Sequence, residues 1–444
     1  PAWSDPRPQN FEHPPVGKYL IAAGIWLNGK PHDNMENQEY ISKLCGHDNE
    51  ECRQDAWGWR FGSTVVGASG IVAAYFVGLR FFNRFSAGIL SASLLALDGL
   101  YYMHARLAML DIFPTVFLIW AFAFVFSPRR SGRWFAAVFF GLAVASKFYA
   151  LYLLPVFVLC QFLRTRAPRF EEPIPSEAPP GATVEARLKE SIAPYLPWLR
   201  RLLPTVGFGM ALPFLIHTLA YAPYWVIWTQ MGGPLFALKE FFFVQISALT
   251  WDFAADATHP YSSPPSTWLV IAKPVYYYTF DYADGDVGKM WSIGNPFLWW
   301  TAVLALLVVP IKILWRFLRD YGWHYLRVDF VERIVYYPFW LRRDLVFMIT
   351  GLMFLFAYLP WFLIQRITFL FYMTFAVPIF AFIVAGLLGE QWDKGGVNRL
   401  LTILYVVLAA GVFLLFFPVV SGIKVDDAHY KWVMGLLPLL DVKV

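Results

Sequence analysis

The sequence predicts an all-α protein, a polytopic transmembrane helical bundle with about ten spans visible. Three observations carry that reading. The 444 residues are 58% hydrophobic and 19% aromatic, with only 15% charged and a mean hydropathy of +0.49, where a soluble domain would carry about 25% charge. Several apolar runs clear the length of about 18 residues needed to cross roughly 30 Å of hydrocarbon. The basic residues, finally, gather in short loops between those runs, the pattern of membrane orientation rather than of nucleic-acid binding.

The apolar runs place spans at 58–82, 86–108, 109–126, 133–150, 151–164, 202–225, 296–315, 344–364, 368–388 and 399–421. Pro155, Pro213, Pro360 and Pro378 fall inside them and are tolerated where neighbouring helices satisfy the freed carbonyls. Strict alternation puts Arg80, Arg84, Arg129, Arg130 and Arg133 on one side, together with the loops 164–201 and 312–343, each holding seven Lys or Arg. That side is cytoplasmic by the positive-inside rule. Residues 1–57, the large loop 226–295 and the tail 422–444 then lie outside; the large loop carries three Lys against six acids. Both ends outside is unusual, and the topology predicts one further span ahead of Pro1. PAWSDPRPQN itself shows neither the basic nor the apolar region of a signal peptide. The expected organisation is an extracytoplasmic first loop with interfacial helices (1–57), a first bundle half (58–225) with a linker at 165–200, the loop 226–295, a second half (296–421) and the tail.

The linker PRFEEPIPSEAPPGATVEARLKE is rich in Pro, Glu and Ala and reads as flexible. Segment 316–343 alternates Arg with Trp, Tyr and Phe, which suits an interfacial amphipathic helix. Cys45 and Cys52 bracket CGHDNEEC on the outside, where a disulfide persists; a surface turn fits the same eight residues. Cys160 is mid-span and reads as a small apolar residue.

Charges at the outer ends of spans are the informative feature. Lys18 follows HPPVG, Arg60 sits in GWRFGS, Arg106 and Asp111 in MHARLAMLD, Lys147 in VASKFYA, Lys273 in the outer loop and Arg366 in LIQRITF. A single Lys or Arg there is most simply a residue snorkelling to headgroups. A group of six on one face, against the positive-inside bias, points to a shared anionic ligand. Arg grips a phosphate with a planar fork and Lys with a compact charge. Asp111 reads as a structural partner of Arg106. In FEHPPVGKYL the two prolines fix the backbone, holding His13 and Lys18 with little entropy to lose; an ordinary helix-entry loop would look the same. The outer loop orders His259, Tyr261, Trp268 and Lys273 within THPYSSPPSTWLVIAKPVYYY, and SIGNPFLWW follows. Interfacial belts account for Trp and Tyr, but aromatic faces also bind sugar rings.

Taken in order, FEHPPVGK, WRFGSTVVG, ARLAMLD, SKF, HPYSS with W, KP and YYY, GNPFLWW and YLPWFLIQRITFLFY resemble the protein O-mannosyltransferase family, of the bacterial or archaeal type. That family is a branch of the GT-C glycosyltransferases, which use a polyprenyl-phosphate sugar. The resemblance runs from residue 11 to about 372 and implies a GT-C bundle in a plasma or inner membrane with its site on the extracytoplasmic face. It implies inverting transfer of a hexose, mannose first, to a hydroxyl, that of a protein Ser or Thr. Arg60 and Lys147 are expected at the donor phosphate, with Lys18, Arg106, Lys273 and Arg366 beside them. His13, His259, Tyr261 and Trp268 are expected at sugar or acceptor. The family's catalytic Asp-Glu pair lies ahead of HPP and is expected upstream of Pro1, with Glu12 the nearest carboxylate in hand. Lys273 stands where such members have Arg, and 226–295 has no room for the β-trefoil domain of eukaryotic members. No metal motif appears and no cofactor is implied; the partners are the lipid-linked sugar, an acceptor protein or glycan, membrane lipid and a membrane-protein complex. A related transferase acting on a lipid or glycan, and a non-catalytic scaffold subunit, are the competing readings.

Overall fold

A computed structural model describes residues 13–27, 50–164, 202–254, 258–321 and 341–437. In chain order the helices are α1 (Val16–Leu27), α2 (Glu50–Phe82), α3 (Phe85–Ala96), α4 (Gly99–Arg106), α5 (Ile112–Val125) and α6 (Gly132–Val144). A 3-10 turn, Phe148–Leu153, leads into α7 (Leu154–Arg164). Then come α8 (Leu202–Ala220), which holds a π-turn at Gly207–Ala211, and α9 (Ala222–Ala254). A two-stranded antiparallel hairpin, β1 (Tyr276–Asp281) with β2 (Val287–Trp291), precedes α10 (Pro296–Tyr321). The chain closes with α11 (Leu341–Tyr358), α12 (Val377–Lys394), α13 (Val397–Ser421) and α14 (Asp427–Met434).

Among the described residues, five helices are long and apolar enough to cross a membrane: Trp57–Phe82, Leu202–Ala220, Pro296–Trp315, Asp344–Leu363 and Val397–Ser421. The bent pair α3–α4, broken by 68°, passes the same test taken together, as one broken span or a re-entrant loop. Their outward faces are apolar, with Leu304, Ile311, Leu400 and Leu414 each more than 60% exposed, as a lipid-facing surface requires.

Lipid gives apolar helices no reason to associate, so close packing must do it. Where α1 crosses α2, a β-carbon on Gly24 would strike the Gly58 carbonyl, and one on Gly62 the Leu20 carbonyl. Only glycine allows that approach, and it brings the last turns of α1 against α2 at Gly58 and Gly62. The core is aromatic: Phe140 stacks on Phe157 at 4.3 Å, and Trp361 on Tyr372 at 4.3 Å with the rings 5° apart.

The break between α3 and α4 has a specific cause. Asp98, fully buried, accepts from the Tyr101 amide at 2.9 Å as the cap of α4. It also accepts from the Asn295 amide at 2.9 Å and Trp299 Nε1 at 2.8 Å. Asn295 Nδ2 donates to the carbonyls of Leu97 and Ala409, both at 2.9 Å. GNPFLWW therefore ties the bend to α10 and α13, satisfying carbonyls that a broken helix in lipid cannot leave bare.

The helices depart from the expected spans in ways that shape the site. α5 has 14 residues and α6 has 13, about 20 Å each at 1.5 Å per residue, short of the hydrocarbon thickness. The ninth expected span, 368–388, becomes helical only at Val377, after a 3-10 turn at Leu370–Phe375. In the expected loop 226–295, residues up to Ala254 continue a 33-residue helix across a kink at Gly233, where φ is +81°. The amphipathic reading of 316–343 falls largely outside the described residues, as do the linker and Cys45.

Candidate active site

Short α5 and α6 end where chemistry begins. Asp111 leads into α5, and the turn Ala145–Ser146–Lys147 follows α6. Two antiparallel helices with a tight connection set these two turns at one end of the bundle. The opposite end carries the arginines: Arg80 donates to the Ala123 carbonyl, and Arg164 to those of Phe124 and Val125 at 2.7 and 2.6 Å. Irregular backbone at membrane depth is tolerated where protein buries it, and here the Tyr149 hydroxyl donates to the Asp111 carbonyl at 3.3 Å while its ring packs on Trp361 and Phe375.

At the centre, Lys147 Nζ lies 2.8 Å from Asp111 Oδ1, with both side chains under 10% exposed. The Tyr149 hydroxyl donates to the same oxygen at 3.2 Å. The ammonium stands 5.3 Å from the centre of the Tyr149 ring and 5.6 Å from that of Tyr372. Arg366 also engages Tyr372, donating from Nη1 to its hydroxyl at 2.9 Å. Two cations from distant stretches of chain thus share one aromatic residue, which the Trp361 stack holds rigid. One N–H of Lys147 serves Asp111, leaving two for an anion.

The HPP segment packs onto this centre. The Val16 amide donates to the Ala145 carbonyl at 2.9 Å, and Gly17 sits against Leu110 and Phe113. Lys18 Nζ donates to the His13 carbonyl at 3.0 Å, closing its own turn. His13 is within electrostatic reach of Asp111. A second group forms along α2: Arg60 lies over the Trp59 ring at 4.5 Å and within electrostatic reach of Arg106. Arg60 Nε is buried without a partner among the described residues.

Two expectations need correction. Asp111 pairs with Lys147 and not with Arg106. Arg106 instead donates to the Ser421 carbonyl at 2.9 Å, at the end of α13, where last-turn carbonyls have no helical donors. Trp268 offers no open face to a sugar: it is fully buried, its Nε1 donates to Ser263 Oγ at 3.1 Å, and Tyr358, Trp361 and Tyr372 surround it. It supports the Trp361–Tyr372 stack from behind. Lys273 is half-buried just before β1. His259 is exposed and packs on Phe369 at 5.2 Å; Tyr261 lies against Tyr276 and Trp291 of the hairpin. Glu12 and the Cys45–Cys52 pairing lie outside the described residues and side chains.

Sequence reasoning passed over Tyr149, Tyr372, His104 and Tyr277. Each stands inside a motif already singled out: SKFYA, ITFLFY, MHAR and KPVYYY. An interfacial aromatic belt explained the tyrosines too cheaply to single them out.

The bundle with broken spans and a cation–carboxylate–aromatic site at one end belongs, by comparison with known proteins, to the GT-C class of all-α membrane glycosyltransferases. Its fold is similar to the solved S. cerevisiae protein O-mannosyltransferase Pmt1-Pmt2 complex bound to the sugar donor, with a TM-score of 0.65 over 93% of this chain and 83% of that one, at 11% identity. The family model for dolichyl-phosphate-mannose-protein mannosyltransferase matches residues 9–167, and that for the C-terminal four-span region of protein-O-mannosyltransferase matches 237–437. The chain belongs to the protein O-mannosyltransferase family. Its relatives include the polyprenol-phosphate-mannose–protein mannosyltransferases of Mycolicibacterium smegmatis and Mycobacterium tuberculosis. These are 24% and 25% identical, covering 94% of this chain and 80% and 79% of theirs. That of Corynebacterium glutamicum is 23% identical, over 95% of this chain and 80% of its own.

Proposed function

We propose that the protein transfers mannose from a polyprenyl monophosphate carrier to a Ser or Thr hydroxyl of a protein, on the extracytoplasmic face of the membrane. The carrying observation is the convergence of Lys147 and Arg366 on Tyr372, beside the HPP segment. The names of the bacterial relatives support the donor and the protein acceptor. The site lies at the end of the bundle opposite Arg80, Arg129 and Arg164, and the positive-inside bias makes that arginine-rich end cytoplasmic.

In this reading the departing lipid phosphate gathers negative charge as the anomeric bond breaks. Lys147, held by Asp111 and Tyr149, meets that charge in a water-poor site with little left to reorganise. Arg366 offers a second cation at Tyr372, and Arg60 brings its unpartnered Nε. Asp111, engaged by Lys147 and Tyr149, serves as the positioning carboxylate. The attacking hydroxyl passes its proton to a separate base, as an inverting transfer requires.

The test uses membranes containing the full protein, radiolabelled polyprenyl-phosphate mannose and a Ser/Thr-rich peptide. Label should enter the peptide and be released by alkaline β-elimination. Label confined to lipid or glycan would replace the protein acceptor in this reading, and no transfer to any acceptor would overturn it.

A further inference from the structure

His104 is a buried group that the reading above leaves unused. It sits in α4, fully buried, with the Tyr277 and Phe371 rings at 6.2 and 6.0 Å. It is within electrostatic reach of both Asp111 and Lys147. Its hydrogen bonding fixes one form of the ring. The Thr374 hydroxyl lies 3.3 Å from Nδ1 and gives its single proton to the Phe371 carbonyl at 2.7 Å. The Thr374 oxygen is left to accept, so Nδ1 carries the imidazole proton and donates it. In the neutral ring Nε2 is then a bare acceptor, and it is buried without a partner among the described residues. The Tyr277 hydroxyl is a second buried polar atom without one.

From these two unpartnered atoms, carried on rings whose centres are 6.2 Å apart, we infer that His104 Nε2 and the Tyr277 hydroxyl form a subsite for one hydroxyl of the transferred sugar, an inference that rests on the sugar-transfer reading. A sugar hydroxyl satisfies both atoms, giving its proton to Nε2 and accepting from Tyr277. A phosphodiester oxygen has no proton for Nε2, and a prenyl chain has neither donor nor acceptor. Because an unmet buried acceptor is costly, the subsite rejects a sugar lacking that hydroxyl. His104 is thereby a specificity-determining residue, set beside the Lys147 centre by the bend at Asp98.

The experiment compares polyprenyl-phosphate mannose with its singly deoxygenated analogues in membranes containing the full protein. The natural chain should disfavour one analogue by about tenfold or more in kcat/KM. His104→Phe should lose about tenfold on the parent donor and nothing on that analogue. Binding of sugar-free polyprenyl phosphate should be unchanged, and His104→Gln, whose amide oxygen accepts, should recover part of the loss. Tyr277→Phe should lose discrimination against the same analogue. His104→Phe with natural kinetics across the whole series would overturn the inference. So would equal loss on parent and every analogue with weakened phosphate binding, which marks a packing role. Inactivity of the natural chain on every hexose donor would instead sink the transfer reading, and the inference with it.

Discussion

The Lys147 ammonium stands 2.8 Å from the Asp111 carboxylate, joining two residues 36 positions apart, one where short α5 begins and one just past the end of short α6. In a low-dielectric interior, removing one partner of such a pair is far worse than never having had it. Lys147→Met, which keeps the stem and deletes the charge, should lower stability by about 3–5 kcal/mol as well as abolish transfer. Adding Asp111→Asn should return much of the stability and none of the activity. Thermal unfolding in detergent measures the first, and an unshifted midpoint for the single variant would refute the pairing.

Arg60 presents an unpartnered Nε beside Arg106. Arg60→Ala should eliminate sugar transfer while the protein still inserts in the membrane, and Arg60→Lys should keep a residue of activity because charge survives and the planar fork does not. Assay with a polyprenyl-phosphate sugar, alongside membrane fractionation, reads both; normal turnover by the alanine variant would remove Arg60 from the site.

Tyr372 does two jobs, stacking on Trp361 and accepting from Arg366. Tyr372→Phe keeps the stack and loses the hydrogen bond. Stability should change by about 1 kcal/mol, with donor KM rising several-fold and kcat falling less. A fall in kcat alone would place the hydroxyl at the reacting bond and not at donor binding.

Asp98 accepts from Tyr101, Asn295 and Trp299 in a fully buried site. Asp98→Ala strands three donors and should cost roughly 3 kcal/mol or more, seen as a lowered detergent melting temperature. A change within error would show that water reaches the bend.

Arg84 pairs with Asp393 at the arginine-rich end, both side chains over a third exposed. Arg84→Ala should cost less than about 1 kcal/mol and leave transfer unaltered. It serves as the control for the buried pair.

The membrane bundle was legible because lipid demands long apolar runs, and those at 58–82, 296–315, 344–364 and 399–421 emerge as helices with nearly the same limits. Of the six outer cations expected as one group, Lys147 and Arg366 meet at Tyr372 while Arg60 stands with Arg106. Which acid met which base was not legible. Arg106 and Asp111 are close in the chain, yet the turn between α4 and α5 separates their destinations, and Lys147 arrives at Asp111 from a different helix. Trp268 was misjudged because a tryptophan at an interface and one sealed in a core look alike in sequence; only its neighbours tell. The long helix through Gly233 was not legible: 226–295 is expected as a loop, yet the chain stays helical to Ala254 across a kink at Gly233.

The bond from the Val16 amide to the Ala145 carbonyl has a mechanical meaning. It splices the entry segment to the turn that ends in Lys147, so the two cannot shift independently. A pull on the entry segment at Val16 therefore bears on backbone only two residues from Lys147.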